Sequence, residues 1–377
     1  MGEEVRRDCG CPDAANAILT PMKAVLLKGH GGFEQLEYRD DVPVPVPRPG
    51  EVLIRVGAAG VNNTDINTRT AWYSRSVTEG TTAQAGASGI AGARSEDAGW
   101  TGSPPTFPRI QGADACGHIV AVGEGVDAAR IGERVLVEPV FRTAAGAGPS
   151  PAVYFGSECD GAFAEFARVP AGHAHAIRCA LTDIELASFP CAYSAAENML
   201  TRLNLIRGDI VLVTGASGGV GAAAVQLARR RGATVLAVAS LSKAAAVESL
   251  GAAHVIGSDA DPLQEFGREK IDAVVDVVGG SRFGSLLDVL RRGGRYAVAG
   301  AIAGPLVELD LRTLYLKDLR LLGCTVLEPE VFTHLVQYIE GNEIKPLVAG
   351  VHPLAAIVQA QEEFLAKRRM GKIILVP

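Results

Sequence analysis

Apolar residues along this chain fall into two regimes. In the first third they come in short runs, at 22–27, 51–56, 119–122 and 132–137, each cut off by glycine, proline or charge. Short strands between such punctuation predict a small, irregular β-barrel-like unit rather than alternating strands and helices. The segment VPVPVPRP at 42–49 holds four prolines. These remove ladder donors, so an extended surface segment is expected there. Near residue 209 the pattern changes. A strand-type run at 210–213 meets a glycine turn, and AAAVQLAR at 222–229 combines strong helix formers with a helical apolar spacing. Further strands read at 233–239, 253–256, 271–278, 294–299 and 319–325, with a helix at 283–290. This alternation predicts a doubly wound parallel sheet with ligands at the carboxyl ends of its strands. The final segment, 364–376, ends in a strand expected to return to the first unit.

Composition narrows the class. A chain of 377 residues favours two domains of roughly 100–200 residues each. With 48% hydrophobic and 21% charged residues it reads as a soluble globular protein. A net charge of −6 and the lack of a basic run argue against nucleic acid as a partner. No apolar stretch of ~18 residues is present, so no membrane span is expected. Residues 1–21 read as a mobile tail rather than a secretory signal. Seven scattered cysteines suit reduced thiols and a cytoplasmic location, and Cys9 with Cys11 is too tight a pair for a zinc knot.

Two stretches lack periodicity. Residues 74–108 are small and polar and read as a mobile insertion without secondary structure; 143–151 read as another loop. Just before the insertion, Asn62, Asp65, Asn67 and Tyr73 place polar and phenolic groups in one short segment after a strand. These side chains read equally as a solvated helical turn, with Asp65 as a cap, or as chemistry. A tyrosine there suits a reaction that must protonate a carbanion or enolate.

The glycine turn GASGGVG at 215–221 fits a pyrophosphate approaching backbone N–H groups at a helix N-terminus. Its candidate cofactor contacts are Ala216, Ser217, Gly218, Gly219, Val220 and Gly221. Sites selective for NAD place a carboxylate ~20 residues further on, to hold the ribose 2′-hydroxyl. Ser240 occupies that strand end, with Lys243 beside it and no acidic residue before Glu248. A hydroxyl and an ammonium accept a 2′-phosphate, so NADP(H) is the expected cofactor. Val278, Gly300 and Ala301 stand at the next strand ends and are expected to line the nicotinamide side.

Four motifs in this order, PGEVLIRV at 49–56, GADACGHIV at 112–120, GERV at 132–135 and the glycine turn, resemble the medium-chain dehydrogenase/reductase superfamily. With GKIIL at 371–375 the resemblance runs from residue 22 to the end. It implies a GroES-like catalytic domain at 22–186, a Rossmann domain at 187–325, and a closing segment at 326–377 that returns to the catalytic domain. It also implies an active site in the cleft, and a homodimer or homotetramer. Zinc-dependent members carry a cysteine where Asn62 stands and a Gly-His-Glu motif where this chain reads Gly112, Ala113 and Asp114. Only Cys191 falls at a remaining ligand position. A catalytic zinc needs three protein ligands, so zinc independence is expected and no metal residue is assigned; His173 and His175 read as an ordinary strand pair.

The pattern Asn62, Asp65, Tyr73 is similar to the quinone oxidoreductase and enoyl reductase branch, although Asn67 stands where some members carry a second tyrosine. That resemblance implies NADPH-dependent hydride transfer to a small-molecule quinone or α,β-unsaturated carbonyl compound. Tyr73 would be the proton donor, and Asn62 and Asp65 would orient the tyrosine, the ribose or the substrate. The alternatives are a zinc-dependent alcohol dehydrogenase and a cofactor-binding scaffold or redox sensor without turnover.

Overall fold

The structure, a computed structural model, describes residues 21–143 and 152–377. The tail at 1–20, with Cys9 and Cys11, and residues 144–151 of the second loop lie outside the described residues. The opening strand Met22–Leu27 forms where the apolar run predicted it and pairs antiparallel with Leu36–Val42. From Pro43 to Pro49 the proline-rich segment lies outside any strand, as its missing donors require.

The catalytic-side sheet is organised around Glu51–Gly60. This strand runs four residues beyond the predicted run, because after an irregularity at Gly57 the buried Ala58, Ala59 and Gly60 pair with Cys116, Ala115 and Asp114 despite lacking strand-type side chains. Its neighbours are Asp114–Val122 on one side and Phe166–Pro170 with Lys372–Val376 on the other, all antiparallel to it. The register Ile374 to Gly60 and Leu375 to Ala59 shows that the last strand of the chain does close the first sheet.

The second sheet is parallel and six-stranded. Its spatial order is His254–Gly257, Thr234–Ala239, Ile210–Val213, Ile271–Asp276, Leu290–Val298, Arg320–Gly323. Numbered along the chain this is 3-2-1-4-5-6, the Rossmann order, which reverses direction between Ile210–Val213 and Ile271–Asp276. The sheet core is Leu, Val, Ile and Ala buried on both faces, as a covered parallel sheet demands. Helices Pro190–Arg202 and Gly219–Arg230 pack together on one side of it.

The segment 74–108 corrects the expectation of a structureless insertion. It contains the helix Ala83–Ser88, capped by Thr82, whose hydroxyl accepts from the Ala85 N–H at 3.0 Å. The fully buried Arg69 guanidinium donates to Gly86 O (2.6 Å), Gly31 O (3.0 Å) and Gln361 Oε1 (3.0 Å), tying this helix to the opening loop and the C-terminal helix. Burial lowers the Arg69 pKa to about 10, which leaves it charged at neutral pH. The segment then reaches across to the Rossmann side, where Thr81 N–H donates to Ile302 O at 2.9 Å. Gly80 sits so close there that a Cβ would lie 2.4 Å from the same carbonyl. Composition hid this order because the segment is anchored by its backbone and by Arg69 on the preceding helix rather than by an apolar stripe of its own.

Candidate active site

The helix Asn63–Arg69 begins at Asn62, immediately after the central strand. Asn62 N–H donates to Asp65 Oδ2 at 2.7 Å, and the other Asp65 oxygen accepts from Gly112 N–H at 3.2 Å. Asp65 is therefore committed to backbone donors behind the cavity and does not reach the Tyr73 phenol. The reading of this stretch as a solvated turn is corrected too, since Asn62, Asp65 and Asn67 are all buried. Burial raises the Asp65 pKa from 3.8 to about 7, against the hydrogen bonds from the backbone and the charge of Lys372.

The Asn62 amide side chain faces a different partner set. Its Nδ2 donates to Asp114 Oδ2 at 2.9 Å, and its Oδ1 accepts from Lys372 Nζ. Asp114, wholly buried, also accepts from Lys372 Nζ at 2.7 Å and from Cys191 N–H at 2.6 Å. The positions where a zinc site would draw its ligands thus converge in space, but they hold an ammonium. Ala113 has no donor atom, and the Cys191 thiol, pushed up to about 12 by burial, is not poised to ionise. Among the described residues no group of three or more His, Cys, Asp or Glu is arranged to hold a metal ion. His173 and His175 both bond Glu138 Oε2, each at 3.1 Å.

Beside this cluster opens a cavity of about 240 Å³. Asn62, Tyr73, Gly218, Gly219, Val220, Gly221, Gly300 and Ala301 line it, so the cavity joins the two halves of the predicted site. Tyr73 O–H donates to Thr64 Oγ1 at 3.1 Å, and burial raises its pKa to about 12. A second phenol, Tyr154, lines the same cavity with its hydroxyl 3.0 Å from Cys191 Sγ. Sequence reasoning missed Tyr154, which lies next to a loop and far from Tyr73 in the chain. Val277, not the expected Val278, faces the cavity. Val278 N–H and Gly279 N–H are bound by the buried Asp276 carboxylate, at 2.9 and 3.2 Å.

The glycine turn has the geometry a pyrophosphate needs. Gly218 caps the helix Gly219–Arg230 without any side-chain bond, so the first-turn N–H groups are left for a ligand. A Cβ on Gly221 would lie 2.2 Å from Gly215 O, so only glycine allows the helix to start this close to the turn. Ala216 is buried and structural, its N–H donating to Val238 O at 3.0 Å, and Ser217 follows it into the turn. At the end of Thr234–Ala239, Ser240 is exposed and shares a 2.9 Å hydrogen bond with Ser242. Lys243 Nζ donates to Lys367 O at 2.6 Å. Burial holds both lysine amino groups below their usual pKa, and the charge of Lys243 lowers Lys367 further. Lys367 was not singled out from sequence; its signal is the KRR run at 367–369, which the fold brings back to the cofactor end.

What this fold and cavity define is an oxidoreductase built to work with a nicotinamide dinucleotide. Residues 219–341 match the zinc-binding dehydrogenase family, and residues 48–178 match the alcohol dehydrogenase GroES-like domain. Acryloyl-coenzyme A reductase of Metallosphaera sedula is 30% identical over 366 residues, covering 94% of this chain and 99% of that protein. Quinone oxidoreductase of Rattus norvegicus is 28% identical, covering 94% and 98% respectively. Among solved structures, a Sinorhizobium meliloti protein described as an alcohol dehydrogenase is 47% identical, with a TM-score of 0.84 and coverage of 97% and 99%. The 2-octenoyl-CoA carboxylase reductase CinF, solved with NADP and 2-octenoyl-CoA, is 25% identical, with a TM-score of 0.79 and coverage of 96% and 89%. The chain belongs to the medium-chain dehydrogenase/reductase superfamily, in its quinone oxidoreductase and enoyl reductase branch.

Proposed function

We propose that this protein is an NADPH-dependent, zinc-independent reductase of conjugated carbonyl compounds, either quinones or α,β-unsaturated ketones and aldehydes. The observation that carries this reading is the Lys372 ammonium bound by Asn62 and Asp114 where a catalytic metal would need its ligands. When bound, the nicotinamide supplies the hydride. The chain's part is to hold substrate beside it and to handle the proton.

Tyr73 is the proposed proton donor. A phenol with a pKa near 12 stays protonated through the neutral range, so its O–H is available to bond and then protonate an enolate-like oxygen or carbon. Thr64 holds that hydroxyl at the cavity wall until substrate replaces it. Asn62 positions Lys372 and the start of the helix that carries Thr64, and Asp65 fixes the same helix end; both act on the site through other groups.

Ser240 and Lys243 support NADPH over NADH, since they offer a hydroxyl and an ammonium to a 2′-phosphate at this strand end. A second copy of the chain is the proposed partner. The edge strand Arg320–Gly323 and the helix Leu311–Leu316 present Leu311, Tyr315, Leu316 and Leu321 to solvent, an apolar patch beside unpaired strand donors. A cytoplasmic setting is proposed on the five described cysteines, all unpaired. A second reading, zinc-dependent alcohol oxidation, is supported by the match to the zinc-binding dehydrogenase family together with the resemblance to the Sinorhizobium meliloti protein described as an alcohol dehydrogenase. Metal content separates the two: turnover of conjugated carbonyls by metal-free protein supports the first, and activity that follows stoichiometric zinc supports the second.

A further inference from the structure

The chain has only two tryptophans and 5% aromatic residues, yet Trp72 and Trp100 both line the one cavity described above. Trp100 is carried by the 74–108 segment and lies against Tyr154, ring centroids 4.9 Å apart and planes tilted by 38°. Its neighbour Thr101 fastens this stretch by donating its N–H to Glu158 Oε1 at 3.1 Å. On the other side Trp72 meets Tyr73 edge to face at 5.8 Å. The Trp72 indole N–H is already bound to Glu79 O at 3.0 Å, so this residue offers the substrate its ring and not a donor.

Charge in the cavity points the same way. Lys372 is the only charged side chain lining it among the described residues, and its ammonium is neutralised by Asp114. A carboxylate or phosphate on the substrate would find no free cation inside. The volume, about 240 Å³, falls below the roughly 300–1,000 Å³ of sites for drug-sized ligands and must also admit the nicotinamide. Room for the acceptor beside the nicotinamide is therefore small, and a flat ring fits it by lying against the Trp100 and Tyr154 faces with its carbonyl at the phenols.

Resting on the reductase reading above, we infer that the 74–108 segment is a substrate-selecting wall, and that Trp100 makes the cavity a slot for neutral, compact acceptors with an aromatic ring conjugated to the reducible carbonyl. Stacking and burial of such a ring against an indole are worth on the order of 1–2 kcal/mol, or about a tenfold preference.

Two enals that differ only at the far end, cinnamaldehyde with a phenyl and crotonaldehyde with a methyl, test this. With NADPH and the wild-type protein, kcat/KM should favour cinnamaldehyde by about tenfold or more. Trp100→Ala should remove most of that ratio, and Trp100→Phe should keep it. Binding is read without turnover by titrating hydrocinnamaldehyde, the saturated aryl aldehyde, against tryptophan emission; a saturable change in wild type that weakens in Trp100→Ala supports the slot. Equal kcat/KM for the two enals, or a Trp100→Ala loss shared by both, overturns the slot and leaves the reductase reading standing. Saturable aryl binding with no turnover of either enal or of 1,4-naphthoquinone supports the slot and overturns the reductase reading.

Discussion

Lys372 Nζ lies 2.7 Å from Asp114 Oδ2, with both side chains almost wholly out of water, at 5% and 0% exposure. The pair joins the last strand of the chain to the core of the catalytic sheet. Removing one partner leaves an uncompensated buried charge, which costs roughly 3–5 kcal/mol. Lys372→Met should lower unfolding stability by about that much in a urea titration. The double variant with Asp114→Asn should be less destabilised than the two single losses added together, because the stranded carboxylate is gone. Strict additivity would show that the two groups do not act as a pair.

Tyr73→Phe removes the proposed acid and keeps the ring. The expected result is a fall in kcat of roughly 10²-fold with NADPH affinity unchanged. Because the phenol titrates near 12, wild-type kcat should show no loss from its deprotonation below about pH 10. If Tyr154→Phe instead gives the large effect and Tyr73→Phe gives none, the donor is the phenol beside Cys191.

Gly221→Ala places a Cβ where Gly215 O lies 2.2 Å away, and both are backbone elements that must move apart. Calorimetric titration should show NADPH binding weakened by at least about tenfold, with the helix start displaced from the pyrophosphate position. Ser240→Asp combined with Lys243→Ala should reverse cofactor choice, lowering kcat/KM for NADPH by at least about tenfold and raising it for NADH. An unchanged ratio would remove Ser240 and Lys243 from the cofactor site.

Glu138 gives the pH dependence a clear sign. Burial alone would raise its pKa, but hydrogen bonds from His173 and His175 and the charge of Arg142 outweigh it and lower the value from 4.5 to about 2. A depressed carboxylate contributes stability that is present above pH 4.5 and lost as pH falls through about 2. The contribution is about 3 kcal/mol on this scale. Glu138→Gln should therefore be less stable than wild type at pH 7 by up to that amount, with the gap narrowing steadily from pH 4.5 downwards in urea titrations. A gap independent of pH would show that packing, not charge, is what the substitution removes.

The Rossmann half was legible because its signals are local. The strand Ile210–Val213, the glycine turn and the following helix lie within about twenty residues and declare themselves by apolar period and by glycine. Asn62 and Tyr73 were found for the same reason, being close together after a strand. Lys372 was not legible as Asn62's partner, since 310 residues separate them and only the return of the last strand brings them together. Lys367 was hidden in the same way. Trp100 was missed because its segment has no periodicity; it is ordered by Thr101, Thr81 and the buried Arg69 of the preceding helix. For Asp65 the sequence leaves a cap and a chemical role equally open, because the Asn62 and Asp65 spacing fits both; the structure gives its carboxylate to the helix start.

The most direct test is steady-state oxidation of NADPH and of NADH by cinnamaldehyde, using protein stripped of metal by chelator and verified metal-free by elemental analysis. Full turnover with NADPH, little with NADH, and no gain on adding zinc is the predicted result. Activity that appears only when zinc is restored would contradict the account at its centre.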